Sequence, residues 1–256
     1  MNRRLLFAVV ALAALSMTSG CLGFFTGTSI SDETLDADPV GEYNWGSDAD
    51  VRIELTESAD FTAVYRVNQT NVTLYRRDTF GGREPLSASA FRYRYPNGTV
   101  ITGSEFDEHG GDVTKSRDEI TVVFPTDGPT DGSARFAYSA ESTPKQFSLP
   151  VYVEGSYEVL LPPNRRIEVP VLGRATPGSY ETTDVGDRTL IRWESVTTNT
   201  VSVQYYLQRD LGIFAAILGI ASVAAVVGGL YYQRQIRRLQ RQREQVGPDV
   251  ETGDDR

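Results

Sequence analysis

Val51-Arg52-Ile53-Glu54-Leu55 alternates apolar and charged side chains, and Phe61-Thr62-Ala63-Val64-Tyr65-Arg66-Val67 resumes the alternation a few residues later. A period of two puts every second side chain on one face, the pattern of a β-strand with a single buried side. Val72 to Tyr75 and Phe91-Arg92-Tyr93-Arg94-Tyr95 continue it, and Pro96-Asn97-Gly98 turns the chain into Thr99-Val100-Ile101. Further strands are expected at 119–124, 134–139, 146–153, 156–161, 166–171, 179–184, 188–194 and 200–207, with Val185-Gly186-Asp187 closing a hairpin. No stretch between 40 and 208 carries a helical apolar stripe. Some twelve short strands separated by turn signals predict an all-β ectodomain, a β-sandwich of immunoglobulin-like architecture. The tandem Pro125-Thr126-Asp127-Gly128 and Pro129-Thr130-Asp131-Gly132 reads as a loop or linker. A subdivision near 125–145 is therefore open, although one continuous β-region over 42–208 is the expectation.

The flanks of this region carry membrane signals. Leu211 to Tyr232 (LGIFAAILGIASVAAVVGGLYY) has 22 residues and no charge. As a helix it would be ~33 Å long, enough to cross the hydrocarbon core. Tyr231 and Tyr232 fit an aromatic belt, and Arg234, Arg237, Arg238, Arg241 and Arg243 follow at once, which orients a cytoplasmic tail over 233–256. Gly212, Ala216 and Gly219, and likewise Ala221, Ala225 and Gly228 or Gly229, suggest a small-residue face for other envelope or membrane proteins. At the other flank, Arg3 and Arg4 precede a 13-residue apolar run from Leu5 to Met17, and Thr18-Ser19-Gly20-Cys21 follows. That run suits a signal peptide over 1–20. Counted on to Phe25, the apolar stretch has 21 residues and would also serve as an uncleaved signal anchor. Both readings place 22–210 outside the cell. Residues 21–41, polar and acidic beyond Phe25, are expected to be a flexible tether.

Composition removes several function classes. A formal net charge of −9 disfavours nucleic acid as a partner, and membrane lipids are expected instead. One cysteine excludes a disulfide scaffold, and one histidine leaves almost no route to a zinc site. Lys115 and Lys145 are the only lysines among 25 basic residues, an acidic, arginine-rich balance suited to concentrated salt, where net charge of one sign preserves solubility. Asn68-Gln69-Thr70, Asn71-Val72-Thr73 and Asn97-Gly98-Thr99 are candidate N-glycosylation acceptors. The densest polar cluster, Glu105-Phe106-Asp107-Glu108-His109-Gly110-Gly111-Asp112, supplies a weak Ca²⁺ candidate in Glu105, Asp107, Glu108 and Asp112, without the order of an EF-hand. Ser142-Thr143-Pro144-Lys145 matches Ser-x-x-Lys by letter only, since Pro144 denies it a helix. No cofactor motif is present, and no catalytic residue is assigned.

Tyr157-Glu158-Val159-Leu160-Leu161-Pro162 leads to Thr189-Leu190-Ile191-Arg192-Trp193 and Thr200-Val201-Ser202-Val203-Gln204-Tyr205-Tyr206, which run directly into the apolar segment. Together with the lipobox-like Thr-Ser-Gly-Cys, this layout resembles an uncharacterised haloarchaeal family of membrane lipoproteins. The resemblance implies lipidation at Cys21, an extracellular β-sandwich and a C-terminal transmembrane helix, and it brings no assigned activity. The expected role is non-catalytic, binding or structural, at the cell envelope of a halophile. The alternatives are a membrane sensor acting through a partner of the tail, or a surface hydrolase.

Overall fold

A computed structural model describes residues 27–245. Cys21 and the expected signal peptide over 1–20 lie outside the described residues, as does the end of the tail. Two compact units follow one another, one reaching Tyr206 and one beginning at Leu207.

The first unit is built of short strands. In chain order they are β1 (Thr28–Ser29), β2 (Val51–Leu55), β3 (Asp60–Arg66), β4 (Asn71–Arg77), β5 (Arg83–Pro85), β6 (Ala88–Arg94), β7 (Val100–Thr102), β8 (Asp112–Lys115) and β9 (Ile120–Val123). Then come β10 (Arg135–Glu141), β11 (Gln146–Pro150), β12 (Gly155–Leu160), β13 (Arg165–Arg166), β14 (Arg174–Thr176), β15 (Glu181–Val185), β16 (Arg188–Val196), β17 (Thr200–Gln204) and β18 (Tyr206–Leu207). The helices are α1 (Asp32–Leu35), two 3₁₀ turns at Gly103–Glu105 and Asp107–His109, and α2 (Gln208–Gln245). The fold is all-β with one apolar C-terminal helix.

An eight-stranded sheet, in the order β15-β16-β12-β2-β3-β10-β6-β7, forms the backbone of the unit. Its strands come from both sides of the 125–132 loop, and β2 pairs with β12 in parallel, so this loop separates no domains. A five-stranded sheet (β1-β8-β9-β4-β5) and a three-stranded one (β11-β17-β14) complete the core with it. The alternation decides which side chains meet: Ile53, Phe61, Tyr65, Phe136, Tyr138, Tyr157, Val159, Ile191 and Trp193 all point into one buried cluster. Aromatic pairs join the layers. Phe61 on β3 meets Phe147 on β11 edge-on at 5.3 Å, and Tyr152 lies between Tyr65 and Tyr75. Trp193 is a core residue, its indole N–H donating to the Pro177 carbonyl at 2.8 Å.

Two expectations are corrected. The segment 27–41 is not a flexible tether. β1 pairs with β8, Leu35 on α1 is buried, and the chain from Asp36 to Asp50 runs as a strap over the polar face of the large sheet. Its polarity misled because the strap is held by hydrogen bonds rather than by apolar burial. The stretch expected as a strand at 166–171 forms only β13 at its start. Leu172 and Gly173 instead close a turn by donating to the Val169 carbonyl.

The second unit is α2, 38 residues without a break. It contains the whole of Leu211–Tyr232, whose side chains are exposed, and is long and apolar enough to cross a membrane. Helical geometry continues through the arginine-rich segment. There Arg234, Arg237, Arg238 and Arg241 fall at i, i+3, i+4 and i+7, one cationic face. Arg243 also lies within α2.

Candidate functional site

The polar face of the eight-stranded sheet comes from the alternate positions of the same strands. Arg52, Glu54, Glu158, Arg188 and Arg192 converge there. Arg52 Nη1 donates to Glu158 Oε2 at 2.7 Å, and its Nη2 lies 3.0 Å from Glu54 Oε1. Arg188 adds a 3.7 Å contact to Glu54, and Arg192 a 3.9 Å contact to Glu158. The Arg52 and Glu158 side chains are only 10% and 11% exposed, so water screens them little. Desolvating two charges costs several kcal/mol each, and this cluster offsets that cost by giving each charge an opposite partner and further hydrogen bonds. Ser47 from the strap donates to the same Glu158 oxygen.

The other arginines of this face hold the strap by its backbone. Arg92 donates to the carbonyls of Leu35, Asp36 and Ala37 at 3.0–3.2 Å, Arg66 to Asp48 and Ala49, and Arg135 to Ser47. Carboxylates of the strap are fixed too. Burial works to raise the Asp36 carboxyl, but hydrogen bonds from Ser104 outweigh it and hold the group below its ordinary value. Asp50 is in the same position with Ser156. This face is structural, a charged seam closed by the strap.

The one histidine, quoted above within the acidic cluster, has partners. His109 Nδ1 lies 2.8 Å from Asp127 Oδ2, and the Tyr95 hydroxyl donates to Asp127 Oδ1 at 2.8 Å. The pairing draws the 125–132 loop down onto the acidic loop. Hydrogen bonds from His109 and Tyr95 keep the Asp127 carboxyl below its ordinary value. Beneath lies the buried Tyr93 ring, whose hydroxyl occupies the space a Cβ would need at Gly128. The triad clasps the two loops together.

The acidic cluster does not converge on a cation. Glu105 caps the first 3₁₀ turn by accepting from the Thr102 N–H at 2.7 Å, Asp107 accepts from the Glu108 N–H, and Asp112 opens β8. Among the described residues no group of three or more acidic, histidine or cysteine side chains is placed to hold a metal. Glu105, Asp107, Glu108 and Asp112 are thus not gathered into one ligand set, and two of the four carboxylates accept local backbone amides instead.

A concavity of about 860 Å³ lies between the β4–β5 hairpin and the turn joining β10 to β11. Arg76, Arg77, Glu84, Glu141, Gln146 and Ser148 line it, with Phe61, Leu86 and Leu149 as its apolar part. At the hairpin tip Asp78 accepts from the N–H groups of Phe80 and Gly82, at 2.8 and 2.7 Å. The tip presents Phe80 almost fully to solvent, at 98% exposure. The Phe80 ring thus stands on a braced turn beside the polar cleft. Ser142–Lys145 forms the turn at its rim, not a catalytic helix. Sequence reasoning missed this site, although Gly81-Gly82 between Arg76-Arg77 and Arg83 was a readable hairpin signal.

The same layout recurs in other proteins. Residues 47–251 match a family described as a family of unknown function, DUF5803. The chain belongs to the DUF5803 family. The match takes in the β-domain from Ser47 onward together with α2. No curated protein matches the chain.

Proposed function

We propose that this DUF5803 protein is a membrane-anchored envelope protein whose β-domain lies outside the cell and binds there without catalysing a reaction. The observation that carries the reading is α2. An uncharged 22-residue stretch with exposed side chains passes without a break into a helical face of four arginines. Such a helix crosses a bilayer with the arginines on the cytoplasmic side, and the small-residue positions leave room for another membrane protein. A lipid on Cys21 would add a second anchor. The clasped His109, the uncollected carboxylates and the open Phe80 cleft favour binding over hydrolysis. The unbroken run of α2 into the tail favours, as a second reading, a sensor that engages a cytoplasmic partner.

Orientation is tested with a membrane-impermeant thiol reagent on intact cells, measured against the wild-type background from Cys21. Val171→Cys, at a site 78% exposed, should react without lysis, and Gln245→Cys only after permeabilisation. The reverse pattern would overturn the reading.

The halophile assignment has its own check. Residues 22–210 carry 29 acidic and 17 basic side chains, a balance of −12. Their mutual repulsion is screened as the Debye length falls from about 10 Å at 0.1 M salt to about 3 Å at 1 M. Thermal melts of the detergent-solubilised protein should therefore show a midpoint rising with KCl from dilute to molar. A flat or falling midpoint removes the salt adaptation.

A further inference from the structure

We infer that Asn68 and Asn97 carry N-linked sugar, and that the sugars form a cap over one end of the β-domain. The inference rests on the proposed outward orientation and adds a modification to it. The strand register brings together sequons that are far apart in sequence. Arg66 at the end of β3 and Arg94 at the end of β6 both pair with Arg135 at the start of β10. Asn68 follows Arg66 by two residues and Asn97 follows Arg94 by three, so two strand spacings, about 10 Å, separate the two turns. The 125–132 loop lies at this same end, tied to one turn by the Gly132 N–H donating to the Val67 carbonyl and to the other strand by Tyr95 donating to Asp127. Asn68, Asn71 and Asn97 are all exposed.

Their local chemistry differs. The Asn97 side-chain Oδ1 accepts from the Thr99 N–H at 2.9 Å across its own sequon, and its Nδ2 has no partner among the described residues. Gly98, at φ +90°, makes the turn that holds this geometry. Asn68 makes no side-chain hydrogen bond among the described residues, and its side chain is exposed. Asn71 instead opens β4, paired with Val123 on β9, and its amide nitrogen donates to the Thr70 hydroxyl at 3.4 Å. Asn71 is therefore the disfavoured acceptor, within three residues of a sugar on Asn68. In the transfer, the asparagine nitrogen forms a bond to the anomeric carbon of a glycosyl phosphate donor. The anomeric C–O bond breaks, the phosphate departs with its electron pair, and the amide proton passes to a base of the transferase. The opposite end of the sheet, about 20 Å away along β10, is where Glu141 pairs with Asp60 and where the Tyr205 N–H donates to the Lys145 carbonyl as the chain leaves the domain. The Phe80 cleft reaches that end through Glu141, Ser142 and Thr143, so sugars on the far turns would leave it uncovered.

The test is peptide mass spectrometry of the full-length protein purified from membranes of the organism that encodes it. Peptides holding Asn68 and Asn97 should be heavier by whole sugar residues, and Asn71 should be unmodified. Asn68→Gln and Asn97→Gln should each remove one increment from the intact mass, and Asn71→Gln none. Bare Asn68 and Asn97, or sugar on Asn71 in their place, overturns the inference. Thiol labelling of Val171→Cys in the same cells separates the failures: bare peptides with outside labelling leave the orientation standing, and bare peptides without it remove both.

Discussion

Arg52→Met should lower the unfolding free energy of the β-domain by about 3–5 kcal/mol, because it leaves Glu158 and Glu54 together in a buried seam without the cation between them. Arg192 at 3.9 Å and Arg188 at 3.7 Å are too distant to replace it fully. Pairing the change with Glu158→Leu should recover most of the loss, since an apolar pair of similar volume has no desolvation cost to offset. Urea unfolding of the detergent-solubilised protein, followed by tryptophan emission, measures both. A single variant within about 1 kcal/mol of the parent would show that the seam is solvated and that the cluster contributes little.

Arg92→Ala should release the strap without unfolding the sheet. Its guanidinium donates to three successive carbonyls of the strap, at Leu35, Asp36 and Ala37, and to Phe91. Hydrogen bonds from a charged donor contribute roughly 1.5–3 kcal/mol each, and one side chain making several does not deliver their sum. A loss of about 2–4 kcal/mol in strap closure is expected, a 30- to 1,000-fold rise in the open fraction. Hydrogen exchange should then accelerate over 28–41 while the amides of β3 and β10 stay protected. Unchanged exchange over 28–41 would show that Arg92 does not hold this segment closed.

The two predictions concern residues that sequence patterning sorted differently. Arg52 stood in a legible position, the outward phase of an alternating strand, yet the alternation does not say that this outward face is covered. Glu158 and Arg52 are 106 residues apart and meet only because β2 and β12 run parallel side by side. The strap was misread because its binding energy comes from arginines on other strands and leaves no apolar periodicity of its own. The same holds for His109, whose hydrogen-bond partner Asp127 lies 18 residues away and whose ring neighbour Tyr95 lies 14 residues away on the other side.

What the sequence determined by itself was whatever depends on neighbours along the chain. Period-two alternation set the strands and the face each one buries, the Pro96-Asn97-Gly98 and Val185-Gly186-Asp187 turns set two hairpins, and 22 uncharged residues set a helix able to cross a membrane. What only the tertiary structure decided was everything that depends on strand order. The sharing of one sheet across the 125–132 loop, the charged seam under the strap, the cleft beside Phe80 and the gathering of Asn68 with Asn97 at one end all follow from it. The physical reason is that backbone hydrogen bonds between strands are the same for any pair of sequences. Which strands become neighbours is settled by how their side chains pack together in the core.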